Sequence, residues 1–227
     1  MTDAIATLLD RPTDAPAPDA AAPPLDFAGL LGSRICHDLI SPVGAIGNGL
    51  ELLSELGRGA GTPGAELQLI ADSARAASDT LQFYRLAFGA ASATEETGAA
   101  SARRVILGWA AHQKPQAVWT PTVEAMPRAA ARLLCNLVQC AVSALPRGGA
   151  ATVVSDIAGD ALAVEARGPT VTLPEAAAAW LSAAPAAPTP SPRDAHFIAA
   201  ARHAAAIDAR IKVSFSDDLL RLETGPA

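Results

Sequence analysis

An α+β fold, a helical hairpin followed by an α/β sandwich, is what the sequence predicts, and three observations carry that prediction. Two long stretches, 26–56 and 65–89, repeat apolar residues every three or four positions, with a glycine-dense break between them. Beyond residue 100 the pattern changes to shorter helical stretches interleaved with runs that alternate apolar and polar residues, as strands do. Half of the 227 residues are hydrophobic, yet aromatics make up only 4%, and the abundance of alanine suits helices that pack closely.

The composition also excludes several functions. A net charge of −6 argues against nucleic acid, whose binders carry a basic patch or stripe. No run of Lys or Arg offers itself to an anionic membrane surface, and no stretch of about 18 apolar residues exists to span a bilayer. The start, Met1-Thr2-Asp3-Ala4, lacks the basic and apolar regions of a secretory signal. Cys36, Cys135 and Cys140 are odd in number and lack metal-ligand spacing, so they read as reduced thiols. The expectation is a cytoplasmic protein of one or two domains, with no metal site and no cofactor of its own.

Taken in order, residues 1–25 are an Ala/Pro/Asp-rich arm with nothing to bury, hence expected to be disordered. Residues 26–90 form the hairpin. Its first helix starts at the N-cap Asp26 and runs an apolar stripe through Phe27, Leu31, Ile35, Leu39, Pro42, Ile46, Leu50 and Leu53, ending in the break Gly57–Gly64. Its second helix repeats the spacing through Leu67, Ile70, Ala74, Ala77, Leu81, Tyr84 and Phe88, with Gly89 at its end. A lone hairpin cannot cover its own stripe, so two copies are expected to pair as a homodimer with a four-helix bundle.

Residues 91–100 read as a linker, and 101–227 as the sandwich. There a helix is expected over 101–113, a strand over 117–120 and 122–123 broken by Pro121, and a long helix over 127–145 closed by Pro146-Arg147-Gly148-Gly149. A hairpin over 151–157 and 161–166 turns at Gly159-Asp160. A short helix, 174–182, a loop, 183–192, a helix, 194–208, and a closing hairpin, 210–216 with 219–223 around Asp217-Asp218, complete the chain.

The candidate site lies in Ser33-Arg34-Ile35-Cys36-His37-Asp38-Leu39-Ile40-Ser41-Pro42-Val43. It sets a histidine beside an acid, with a proline five residues on that costs a helix about 3 kcal/mol. Histidine alone has an unperturbed pKa, roughly 6.5, that lets it be neutral nucleophile or cation near neutral pH. A second stripe, offset from the apolar one, runs Arg34, His37, Asp38, Ser41, Ala45 and Asn48, polar or small throughout. Gly44, Gly47 and Gly49 crowd the following turns at about 1 kcal/mol each relative to alanine. They leave room either for a docking partner or for close packing within a dimer. His112, His196 and His203 sit in no motif and read as ordinary structural histidines.

The His-Asp-Leu-Ile-Ser-Pro wording on a hairpin ahead of an α/β sandwich resembles the dimerisation and catalytic halves of sensor histidine kinases. Together with Leu-Gln-Phe-Tyr-Arg-Leu-Ala-Phe-Gly-Ala (81–90) and Ser-Ala-Leu-Pro-Arg-Gly-Gly (143–149), it resembles more closely the alphaproteobacterial histidine phosphotransferases, dimers of kinase-like build. That likeness covers about residues 26–223 and departs from the kinases at the nucleotide boxes. Asn136-Leu137-Val138-Gln139-Cys140-Ala141 matches an Asn box except at its second Asn, where Cys140 is a poor ligand for a hard cation. Ala166-Arg167-Gly168-Pro169-Thr170 lacks the adenine-binding aspartate and the closing glycine of the next box. Residues 184–203 contain no glycine to wrap phosphates. The second domain is therefore expected to be a degenerate kinase domain that does not bind ATP.

The resemblance implies a phosphorelay. His37 accepts a phosphoryl group from the receiver domain of a hybrid histidine kinase and passes it to response regulators of the CtrA kind, active in the cell cycle. It also implies that Mg²⁺ and a lysine come from the receiver. Asp38 accepts a hydrogen bond from His37 Nδ1 and fixes the tautomer, or serves only as partner to Arg34 at i+4. Arg34 attracts phosphoryl oxygens or the receiver's acidic pocket, or is only that partner. Ser41 positions water or leaves room. Gly44 and Asn48 fall on the expected receiver-docking face. An active sensor-type kinase and a receiver-binding adaptor that never carries phosphate are the competing functions.

Overall fold

The computed structural model describes residues 25–56, 64–90, 94–157, 161–184, 187–216 and 218–226. The arm at 1–24, the glycine break from Gly57, the start of the expected linker, the turn at Gly159-Asp160 and Asp217 lie outside the described residues.

Two long helices form first, α1 (Phe27–Leu56) and α2 (Gly64–Phe88). Asp38 meets Tyr84, and Gly49 meets Ile70, so the helices run antiparallel as a hairpin. Pro42 sits inside α1 without ending it. Lacking an N–H, it leaves the backbone carbonyl of Asp38 without its helical partner. Gly49 is the close-packing glycine: a Cβ there would stand 2.5 Å from Ile70 Cγ1, whereas Cβ atoms at Gly44 and Gly47 would meet nothing within 4 Å.

The apolar stripe expected on α1 is only partly the buried one. Leu50 is exposed, along with Ile40 and Val43 on the same helix and Leu67, Leu69 and Leu81 on α2. The face that α2 does bury, Ala77, Phe83, Tyr84, Leu86 and Ala87, concentrates in its C-terminal half. There α2 enters the core of the second domain: Phe83 stacks on Trp109, ring centroids 4.2 Å apart.

The second domain runs β1 (Glu96–Gly98), α3 (Ala99–Ala110), β2 (Gln116–Val118), β3 (Ala125–Pro127), α4 (Arg128–Ser143), β4 (Ala150–Ile157), β5 (Ala161–Arg167) and α5 (Ala177–Leu181). A 3₁₀ turn (Pro192–Asp194), α6 (Ala195–Ala205), β6 (Ala209–Ser216) and β7 (Leu219–Pro226) complete it. The main sheet has the order β2-β4-β5-β7-β6, antiparallel except for β2 with β4, and β1 pairs with β3 separately. Leu133, Leu134 and Leu137 of α4, with Ile106 of α3, meet Leu162, Val164, Leu220 and Leu222 from the sheet in one core.

Several element limits differ from expectation for identifiable reasons. The described part of the linker is not a linker: Glu96–Gly98 pairs with Ala125–Pro127, and α3 begins at Ala99. Local composition there is small and polar, and only the distant partner strand reveals β1. The strand expected over 117–123 ends at Val118, because Trp119 is fully buried and donates from Nε1 to Asp156 Oδ2 at 3.0 Å. Thr122 N donates to the same oxygen at 2.8 Å. The loop after α4 requires its glycines: Gly149 has φ +136°, and a Cβ there would stand 2.3 Å from the Arg167 carbonyl oxygen.

The hairpin is fastened to this domain by polar groups as well as aromatic ones. Asn136, fully buried in α4, donates from Nδ2 to the Ala87 carbonyl at 3.3 Å and to the Arg132 carbonyl at 2.8 Å. His203 Nε2 donates to the same Ala87 oxygen at 3.1 Å. His196 Nε2 donates to Ser143 Oγ at 3.1 Å, since that hydroxyl spends its own proton on the Cys140 carbonyl. Burial, aided by Arg34, pushes His196 down to about 3, and burial with Arg132 pushes His203 down to about 4.

Two outcomes follow from this packing. Trp109→Ala removes one partner of the stacked pair and leaves a cavity, so thermal melts should show a loss of about 3–5 kcal/mol in a single transition. These two rings, His196 buried and His203 half-buried, are neutral when folded and take up protons when released. Below their ordinary value of 6.5 the unfolded chain therefore binds more protons, and stability falls with pH. Urea midpoints should drop as the pH is lowered from 6.5 toward 4, and His203→Gln should flatten part of that drop.

Candidate functional site

Residues 34, 37, 38 and 41 of α1 lie within two turns, so helical spacing alone presents them on one side. His37 is far more open than Arg34 or Asp38, its side chain 61% exposed. Its Nδ1 lies 2.9 Å from Asp38 Oδ1. An ionised carboxylate only accepts, so Nδ1 carries the proton and Nε2 keeps its lone pair.

Asp38 is held from its other oxygen. Arg34 Nε donates to Oδ2 at 2.7 Å, and the Tyr84 hydroxyl, reaching over from α2, donates to Oδ2 as well. Burial alone would raise the Asp38 carboxyl. The hydrogen bonds from Tyr84 and His37, with the charge of Arg34, outweigh it and hold the group below its ordinary value. Burial is likewise the first cause that pushes the Tyr84 phenol up to about 12, so it remains a donor at neutral pH.

The second domain closes on this cluster. Arg34 Nη1 donates to the Arg193 carbonyl at 2.8 Å, and a cleft of about 320 Å³ opens between the two. Arg34, His37 and Asp38 line one wall, and Arg193, Asp194 and His196 the other. Asp194 is occupied with capping the 3₁₀ turn, accepting from Ser191 N at 3.0 Å and Ser191 Oγ at 2.6 Å. His196 is buried, and its Nδ1 has no hydrogen-bond partner.

The sequence-predicted residues are thus brought together, with different duties. Arg34 is engaged by Asp38 and the Arg193 carbonyl, the i+4 pairing being the one observed. Ser41, Gly44 and Asn48 continue the exposed line of His37 one, two and three turns on. Gly44 and Gly47 stand open, and Gly49 alone of the three is used inside the hairpin. Two contributors escaped the sequence. Tyr84 belongs to the helical apolar stripe of α2, and nothing in its spacing marks the hydroxyl. The wall from Arg193 to His196 lies in a stretch without a motif and reaches the site only through the tertiary fold.

The residues aligned with the nucleotide boxes point inward. Asn136, Cys140 and Ala166 are fully buried, and α6 packs directly on α4, with Cys140 Sγ toward the His196 carbonyl at 3.9 Å. Among the described residues no three His, Cys, Asp or Glu side chains gather as metal ligands, and no helix is long and apolar enough to cross a membrane.

Comparison with known proteins bears on the family. The family described as histidine phosphotransferase C-terminal domain matches residues 99–219. The protein phosphotransferase ChpT of Brucella abortus (strain 2308) is 45% identical over 130 residues, which span 57% of this chain and 60% of that protein. A bacterial phosphotransferase solved at 1.7 Å superposes with a TM-score of 0.74 at 31% identity, covering 93% of this chain and all of the other. With the matched domain making up more than half of its length, the chain belongs to the histidine phosphotransferase family.

Proposed function

We propose that this protein is a phosphorelay intermediate that carries a phosphoryl group on His37 Nε2. The observation that carries the reading is the pairing of His37 Nδ1 with Asp38 at 2.9 Å on an exposed ring, which leaves Nε2 as the free nucleophile. The group arrives from the phospho-aspartate of a hybrid kinase's receiver domain. Its bond to the aspartyl oxygen breaks as the bond to Nε2 forms, and the aspartate leaves as carboxylate. Nδ1 keeps its proton, so the ring gains positive charge, which the Asp38 carboxylate offsets. The reverse step delivers the group to a response-regulator receiver, CtrA-like by the sequence resemblance. Mg²⁺ and a lysine come with the receiver.

ATP has no part in this scheme. Burial of Asn136 and Cys140 in α4, on which α6 packs, and of Ala166 in β5 supports that, since a nucleotide would need the space those elements fill. The open line of Ser41, Gly44 and Asn48 suits a receiver helix approaching His37. The uncovered Ile40, Val43, Leu50, Leu67 and Leu81 suit a second copy completing a four-helix bundle.

The test is transfer from a purified, ³²P-loaded receiver domain. Label should move to the wild-type chain within seconds to minutes and not to His37→Ala, and ATP alone should leave the chain unlabelled. Label from ATP would restore the kinase reading, and no label from any receiver the adaptor reading. Sedimentation should find a dimer that Leu50→Glu dissociates.

A further inference from the structure

We propose that Tyr84 is a positioning residue for phosphoryl acceptance, acting on His37 through Asp38. The inference rests on the reading of His37 as the acceptor and adds to it a residue from the other helix.

Neighbouring side chains on a helix project about 100° apart and do not face one another. Asp38 therefore has no intrinsic reason to aim Oδ1 at the histidine that precedes it. It must be turned there and kept there, and its Oδ2 shows how. Arg34 Nε grips Oδ2 from the same helix at 2.7 Å, and the Tyr84 hydroxyl grips it from α2. Two donors from different helices fix the carboxylate plane, which one flexible arginine cannot do. With Oδ2 taken, Oδ1 remains for His37 Nδ1.

Tyr84 is suited to be the rigid member. It is buried, its ring stacks on Phe88 with centroids 5.2 Å apart, and it meets Phe83 edge-on at 5.8 Å. Its neighbour Phe83 is stacked on Trp109 of the second domain. The phenol is thus set by the packed core, while Arg34 is set by the Arg193 carbonyl. In the transfer step the phosphoryl leaves its donor atom for Nε2 while the Nδ1 proton stays in place. A well-aimed Asp38 stabilises the cationic ring as it forms, and a wandering one leaves the tautomers mixed and Nε2 partly protonated.

Tyr84→Phe removes the hydroxyl and keeps the packing. The probe is potassium phosphoramidate, which phosphorylates histidine without a protein partner, read by ³¹P NMR at His37 of the full chain. The imidazole ¹⁵N spectrum of the unphosphorylated protein reports the tautomer. Loading of Tyr84→Phe should be about tenfold slower than wild type, as for loss of a residue that orients a reactive imidazole. Its ¹⁵N shifts should move from the Nδ1–H form toward a mixture, with the circular dichroism unchanged. Asp38→Asn should be slower still, and adding Tyr84→Phe to it should change nothing further, because the hydroxyl acts through the carboxylate. Wild-type loading and unchanged ¹⁵N shifts in Tyr84→Phe would overturn the inference, as would full additivity with Asp38→Asn. A wild-type chain left unlabelled at His37 would overturn the carrier reading itself, and this inference with it.

Discussion

Three donors converge on the carboxylate of Asp38, and each brings a different part of the chain with it. His37 is its neighbour on α1, Tyr84 comes from α2, and Arg34 carries on to the Arg193 carbonyl of the second domain. A half-buried carboxylate is stable only while its hydrogen bonds are met, each such charge-assisted bond contributing about 1.5–3 kcal/mol. The charge beside the histidine therefore also ties α1 to α2, and Arg34 links the same cluster to the second domain. Site geometry and domain geometry share one set of bonds, and a shift of either domain is felt at the imidazole.

In the second domain the stretches that resemble nucleotide boxes in sequence are turned inward, into the core. In α4 the Asn-box position Asn136 bonds to the end of α2 instead of facing solvent, and His203 of α6 reaches the same carbonyl. The glycine-free stretch Ala195–Ala205 is helical and lies on α4. The arrangement is not free of strain in hydrogen bonding. Both amide atoms of Gln139 and the Asn136 Oδ1 are buried without partners among the described residues, and each such group costs about 1–3 kcal/mol. The stacked Phe83 and Trp109 and the shared apolar core offset that.

The division between packed and open surface on α1 also has a function-bearing logic. The helix buries one line against α2, where Gly49 admits Ile70, and leaves two lines uncovered. One is apolar, through Ile40, Val43 and Leu50. The other is polar and small, through His37, Ser41, Gly44 and Asn48. Under the proposed function, a single helix thereby separates a surface for self-association from one for a receiver, with His37 on the second.

Periodicity determined the two long helices and the two-part build, and the sequence set an acid next to His37, because those features are written in near-neighbour order. The departures from the resemblance at Cys140, Ala166 and 184–203 were legible for the same reason, being changes of residue type at expected positions. Strand β1 was not, since three small polar residues become a strand only when Ala125–Pro127 lies beside them. Nor was the hydroxyl of Tyr84 or the wall formed by Arg193 and His196: these meet Asp38 and His37 across 46 or more residues of chain. Sequence pattern encodes which face of a helix is apolar, but which polar atom meets which across two domains depends on crossing angle and depth. Only the packing of the whole chain sets those.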